Sequence, residues 1–137
     1  MKHSASNYRR DYKLPRSRIL RGRESIQRLF REGRVLKERN LDMRYFVFSN
    51  GPASCHIGFI AGKRTGKAHE RNTMKRRMRE AYRLHQHLIR DITESGNISF
   101  QGIFIAKKTG VPYQEIEREC VRLLTGVQKR LQSGDFV

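Results

Sequence analysis

The sequence predicts an α+β domain whose elements run α-β-β-β-α-β-α. Three observations carry this. LDMRYFVF alternates with the period of a strand, and CHIGFIAGK and QGIFIAKK are short apolar stretches of strand length. Three other stretches repeat apolar residues at helical spacing. No repeat or linker divides the 137 residues, a length that suits one domain.

Taken in order, residues 1–18 read as a flexible basic N-terminal arm: polar, cationic and interrupted by Pro15. Residues 19–132 form the single folded domain, and 133–137 a C-terminal tail. RESIQRLFREG begins the domain as a short helix, with Ile26, Leu29 and Phe30 at i, i+3 and i+4 and Gly33 at its C-terminal end. RVLKER is a short strand. In the next strand Leu41, Met43, Tyr45 and Val47 face one way, and Asp42, Arg44, Phe46 and Phe48 the other. Asn50-Gly51-Pro52 turns the chain into CHIGFIAGK, giving an antiparallel meander of three strands. KRTGKAH is a basic loop, and one helix runs from about Glu70 to about Arg90. QGIFIAKK is apolar enough to be an internal strand. Pro112 opens the last helix in its first turn, with Ile116, Cys120, Leu123, Leu124, Val127 and Leu131 as its apolar stripe.

Composition narrows the function. Thirty Lys and Arg face thirteen Asp and Glu, a net charge of +17. Such an excess calls for a polyanionic partner, and nucleic acid is the usual one. The charge is concentrated: residues 1–23 hold eight basic and one acidic residue, residues 63–90 ten and two, and residues 91–137 six of each. No apolar run could span a membrane, and the basic N-terminus lacks the apolar core of a secretory signal. Cys55 and Cys120 have no metal or redox spacing and read as reduced thiols of a cytosolic protein.

ERNTMKRRMREAYR, residues 70–83, shows what the charge is for. On a helical wheel Arg71, Asn72, Lys75, Arg76, Arg79, Arg83 and Arg90 fill an arc of roughly 140°. Met74, Met78, Ala81, Tyr82, Leu84, His85, Leu88 and Ile89 fill the other side, with Arg77 among them and free to snorkel. Arg71, Lys75, Arg79 and Arg83 are successive i+4 neighbours, so like charges stack along the helix with no acid at i±4. A solvated face would alternate signs. This helix is anchored by its methionines and Tyr82 and holds a basic surface outward for phosphates.

The stretch IGFIAGKRTGKAHERNTMKRRMREAYR, residues 57–83, resembles the protein component of bacterial ribonuclease P. That family carries a Gly-containing strand ending in paired basic residues, a G-x-A loop and R-N-x-x-K-R-x-x-R-E. Here these are Ile57-Gly58-Phe59, Lys63-Arg64, Gly66-Lys67-Ala68 and Arg71-Asn72-Thr73-Met74-Lys75-Arg76 with Arg79-Glu80. Leu29-Phe30-x-x-Gly33, Ile103–Lys108 and the helix after Tyr113 are similar too, so the likeness covers roughly 16–132. It implies the α-β sandwich of the second domain of ribosomal protein S5, with a left-handed β-α-β crossover that the general rule for such units would not predict.

The resemblance also implies partners and roles. The catalytic RNA of ribonuclease P would face Lys67, Arg71, Asn72, Lys75, Arg76, Arg79 and Arg83. The 5′ leader of precursor tRNA would lie in a cleft bordered by Ile26, Phe30, Tyr45 or Phe46, Lys63 and Arg64. Aromatic residues suit that cleft, since they stack on unpaired bases without demanding sequence. Ile26 stands where the family often has an aromatic residue, which leaves apolar contact there. Core packing is the competing role for Phe30, Tyr45 and Phe46. Hydrolysis would belong to the RNA with magnesium, and the protein, a cytoplasmic monomer, would bind no cofactor itself. The alternative is a structural RNA-binding protein of ribosomal or assembly type.

Other signals fall away. Gly62-Lys63-Arg64-Thr65-Gly66-Lys67-Ala68 has the wrong glycine spacing for a nucleotide-binding P-loop and lacks its Ser/Thr. His85 and His87 diverge on a helix, so no metal site is expected, and no acid–base pair has recognisable spacing. A DNA-binding helix-turn-helix needs adjacent helices, whereas strands are expected to flank the basic helix.

Overall fold

The computed structural model describes residues 11–49 and 52–134. A four-stranded mixed sheet is built from β1 (Arg34–Lys37), β2 (Leu41–Phe48), β3 (Ser54–Ala61) and β4 (Ser99–Ala106), in the order β1-β2-β4-β3. Its helices are α1 (Arg23–Glu32), α2 (Ala68–His85), α3 (His87–Gly96) and α4 (Tyr113–Gln132). The α+β class is as expected, but the strand order is not a meander. β4 inserts between β2 and β3, antiparallel to β2 and parallel to β3. Its pattern explains this: Phe100, Ile103, Phe104 and Ala106 are buried on both faces, as an internal strand requires. Of the expected Asn50-Gly51-Pro52 turn, residues 50 and 51 lie outside the described residues.

The two faces of β2 separate as its alternation predicts. Leu41, Met43, Tyr45 and Val47 point into the main core with α2, α3 and α4. Phe46 points the other way, into a smaller core with Leu20, Leu29 and Ile103, which α1 covers. The first face is thus sealed by three helices and the second only partly by one.

The basic helix is shorter than expected. It ends at His85, and α3 starts at His87. Gln86 makes the break: its side-chain amide donates to the Arg83 carbonyl at 3.0 Å and to the Lys13 carbonyl at 2.9 Å, while its own carbonyl takes both Ile89 N–H and Arg90 N–H. Gln86 is buried, and neither Gly nor Pro marks the site. α3 ends where Asn97 turns left-handed at φ 54°, an Asn-tolerant conformation. Pro112 is the N-cap of α4 and not its first helical residue.

Residues 11–18, assigned by sequence to the arm, lie along this break, with Arg83 Nη1 on the Tyr12 carbonyl at 3.1 Å. The chain then runs beside β3, where Ile19 bridges Ile57 in parallel and Leu20 N–H donates to the Ile57 carbonyl at 2.9 Å. Gly22, at φ 99°, turns it away into α1, a conformation that costs a residue with a Cβ.

A buried carboxylate fixes the far end of the sheet. Glu119, 1% exposed on α4, accepts the N–H of Asn40 at 2.9 Å and of Leu41 at 3.0 Å, and the Asn40 side-chain amide donates to Glu119 and Glu115. Lys107 joins in, its Nζ 2.9 Å from Asp42 and 2.6 Å from the Glu38 carbonyl. The β1–β2 turn is thereby tied to α4 and to the end of β4.

Candidate nucleic-acid interface

The basic surface begins at the turn before α2. Gly66 allows a close approach there, for a Cβ would fall 2.7 Å from Thr109 Oγ1 and 2.8 Å from Glu70 Oε1. Glu70 caps the helix by accepting Lys67 N–H at 2.7 Å, and its charge suits the positive N-terminus. Met74, Met78, Ala81 and Tyr82, all at most 1% exposed, dock the helix. That anchoring fixes the direction of the opposite face.

Asn72, Lys75, Arg76 and Arg79 are exposed, as is Lys67. Lys75 and Arg79 have no hydrogen-bond or ionic partner among the described residues, and Arg76 only touches Thr73 Oγ1 at 3.3 Å. The other two cations of the row are partly committed. Arg71 Nη1 donates to the Gly66 carbonyl at 2.7 Å, holding the loop. Arg83 forms a two-point pair with Glu80 at 2.7 and 3.0 Å. Its hydrogen bonds hold the Glu80 carboxyl below the usual range and raise the guanidinium in turn. Searching for acids at i±4 overlooks this pair, which is at i−3. Arg77 turns inward and donates to the Val111 carbonyl at 2.6 Å.

The other face carries the second surface. Ile26 is half-buried against Leu29, Phe46 and Ile103, and Phe48, Ile60 and Ile105 surround them, half-buried. Phe46 and Phe48 lie 4.8 Å apart, and the Arg28 guanidinium sits over both rings at 4.4 and 4.9 Å. Phe30 is 44% exposed, with Arg44 above its ring at 5.2 Å and bonded to its carbonyl at 3.1 Å. A groove of about 330 Å³ runs beside α1, lined by Arg28, Arg31 and Gln101 among others. Aromatic rings with guanidinium groups above them and a half-open apolar floor are a surface for stacking unpaired bases.

Tyr45 does not belong to this surface. It is 0% exposed on the helix-covered face, stacked on Phe100 at 5.6 Å, with its hydroxyl 3.4 Å from Arg130 Nη1. Strand parity decides between the two candidates and leaves Phe46 on the α1 side. Lys63 and Arg64 occupy an exposed 3-10 turn leading from β3 to α2 and make no hydrogen bond or ion pair among the described residues. Arg28, Arg44 and Phe48 were missing from the expected site. Arg44 and Phe48 share Phe46's parity and could have been found on that ground. Arg28 reaches the rings only because α1 crosses β2, which the sequence does not state.

Sheet, basic helix and open aromatic face together define an RNA-binding α+β protein. The family model described as Ribonuclease P matches residues 14–128. The chain is 30% identical over 124 residues to the ribonuclease P protein component of Porphyromonas gingivalis, covering 88% of this chain and 90% of that one. It is 34% identical over 84 residues to that of Dictyoglomus thermophilum, covering 61% and 68%. In fold it is similar to the RNase P protein of Staphylococcus aureus, with a TM-score of 0.65 at 19% identity over 80% of this chain and 94% of that one. The Thermotoga maritima RNase P protein gives 0.63 at 24% identity over 79% and 96%. The chain belongs to the ribonuclease P protein family: it is a protein subunit of that tRNA-processing ribonucleoprotein and a partner of its RNA.

Proposed function

We propose that the protein holds RNA on two faces at once. The α2 row of Lys75, Arg76 and Arg79, with Asn72, Lys67 and the free edge of Arg71, lies against the catalytic RNA. The α1 face, with Ile26, Phe30, Phe46 and the rings under Arg28, takes the single-stranded 5′ leader of precursor tRNA. Lys63 and Arg64 hold leader phosphates at the turn after β3. Phosphodiester hydrolysis belongs to the RNA with its magnesium ions, and the protein raises affinity and positions the leader. It acts as a monomer in the cytoplasm.

The observation that supports this reading most is the row of outward cations without acidic partners on a helix that the core holds rigid. Reconstitution tests it. Protein added to its cognate RNA at low magnesium should accelerate cleavage of a precursor tRNA and should bind precursor more tightly than mature tRNA. Cleavage no faster than with RNA alone would refute the subunit's role, and equal affinity for the two tRNAs would refute leader binding.

A further inference from the structure

We propose that a groove between α2 and the open edge of β3 receives one unpaired nucleotide of the ribonuclease P RNA, its base on Phe59 and its phosphates on Lys75, Arg76 and Arg79. This rests on the ribonuclease P reading and goes beyond it, since a basic helix needs only phosphates. The groove is about 300 Å³ and is lined by Ile19, Leu20, Phe59, Asn72, Lys75, Arg76 and Arg79. Its floor is apolar and its α2 wall is cationic, the two chemistries of a nucleotide.

Backbone geometry adds a third feature. β3 is an edge strand, and among the described residues the segment at Ile19–Leu20 hydrogen-bonds to its backbone at Ile57, whose carbonyl takes Leu20 N–H, while the Leu20 carbonyl reaches no further than Gly58. Strand alternation points the N–H and C=O of Phe59 to the same outer side as those of Ile57. Gly22 has by then turned the chain away into α1. The Phe59 N–H and C=O take no backbone hydrogen bond from that segment among the described residues, so one donor and one acceptor face the groove beside the Phe59 ring, able to meet the edge of a base. The ring is half-buried and parallel to Phe104, with centroids 6.1 Å apart, so a core partner holds it while the groove reaches it.

The occupant follows from shape and charge. An RNA duplex offers phosphates to α2, but its deep major groove cannot bring a base to an apolar floor. An unpaired nucleotide can place its base on Phe59 while its flanking phosphates remain on the cations. Lys75 and Arg79 have no competing acid among the described residues. The RNA subunit is the source because the α2 row and the groove wall are the same residues.

The test uses the full chain and its cognate RNA without precursor tRNA. Phe59→Leu keeps an apolar filling but removes the ring, and should weaken RNA binding about tenfold with its salt dependence unchanged. Phe59→Tyr, which keeps the ring, should bind like the parent. Ile19→Trp fills the groove while leaving Phe59 in place and should also weaken binding about tenfold, which covers the case of Phe59→Leu melting early. Nucleotide-resolution chemical probing should show one unpaired RNA position protected by the parent and released by both weak variants. If Phe59→Leu and Ile19→Trp are folded and bind like the parent while Lys75→Ala still binds weakly, the groove is empty in the complex. The inference then fails and the basic-helix reading stands. If Lys75→Ala also binds like the parent, the basic-helix reading itself has failed.

Discussion

Salt titration of α2 variants measures how many of its cations meet phosphate. Lys75 and Arg79 have no internal partner among the described residues, whereas Arg83 is held by Glu80 at 2.7 Å and by the Tyr12 carbonyl. Each cation that meets a phosphate adds slightly less than one to the slope of log affinity against log salt. Lys75→Ala and Arg79→Ala should each lower the slope by about one and reduce the affinity change between 50 and 200 mM salt by about threefold. With Arg76→Ala added, the three together should remove roughly fortyfold of that change. Arg83→Ala should alter the slope far less, because its charge is already paired. Lys75, Arg76 and Arg79 are exposed and carry no core packing, and removing like charges at i+4 relieves a few tenths of a kcal/mol, about nothing in a melting curve. Fluorescence anisotropy with the cognate RNA at fixed magnesium reads the slope. Unchanged slopes for Lys75→Ala and Arg79→Ala, or an Arg83→Ala effect as large as theirs, would refute the assignment of α2 to phosphates.

The two aromatic positions should separate in a paired experiment. Tyr45→Ala should destabilise by about 3–5 kcal/mol in urea unfolding, as loss of a buried ring does, whereas Phe30→Ala should cost about 1 kcal/mol and lower affinity for precursor but not mature tRNA. Glu119→Ala leaves two buried backbone N–H groups without an acceptor and should cost about 2–4 kcal/mol by the same measurement. Burial pushes the Cys55 thiol up to about 11 from its ordinary 9.0, and its sulfur lies 3.5 Å from the Tyr82 hydroxyl. Above pH 9 the unfolded chain therefore releases a proton that the native chain keeps, and stability should fall as pH rises from about 9 to about 11. Urea midpoints across that range check the sign, with Cys55→Ser losing its share of the decline that begins at pH 9 and the buried Cys120 thiol, also pushed up by burial, retaining the other share.

Local pattern carried most of the secondary structure, because burial stamps its period on the chain. Alternation in 41–48 sorted Tyr45 from Phe46 once the sheet's two faces were known, and the wheel of 70–83 placed Met74, Met78, Ala81 and Tyr82 inward. What stayed hidden was long-range. β2 and β3 are consecutive in sequence and look like hairpin partners, yet β4 lies between them, and nothing local to either strand says so. The break at Gln86 depends on a side chain replacing a helical donor and gripping the Lys13 carbonyl, 73 residues away. The buried Glu119 sits in an apolar stripe where its sequence neighbours give no sign of the β1–β2 turn it satisfies. The basic row was legible as charge, but which cations stay free depended on pairings such as Arg83 with Glu80.

The insertion of β4 has a consequence for how the protein is made. While the ribosome has delivered only the first 98 residues, β2 and β3 have no ladder in common, because every bond that unites them passes through the strand still to come. Met74, Met78 and Tyr82 then lack the β4 and α4 residues of their core, and the cationic helix has no finished platform. Closure of the sheet must await residues 99–106, so changes to that one strand should slow maturation of the whole chain more than equal changes in β1.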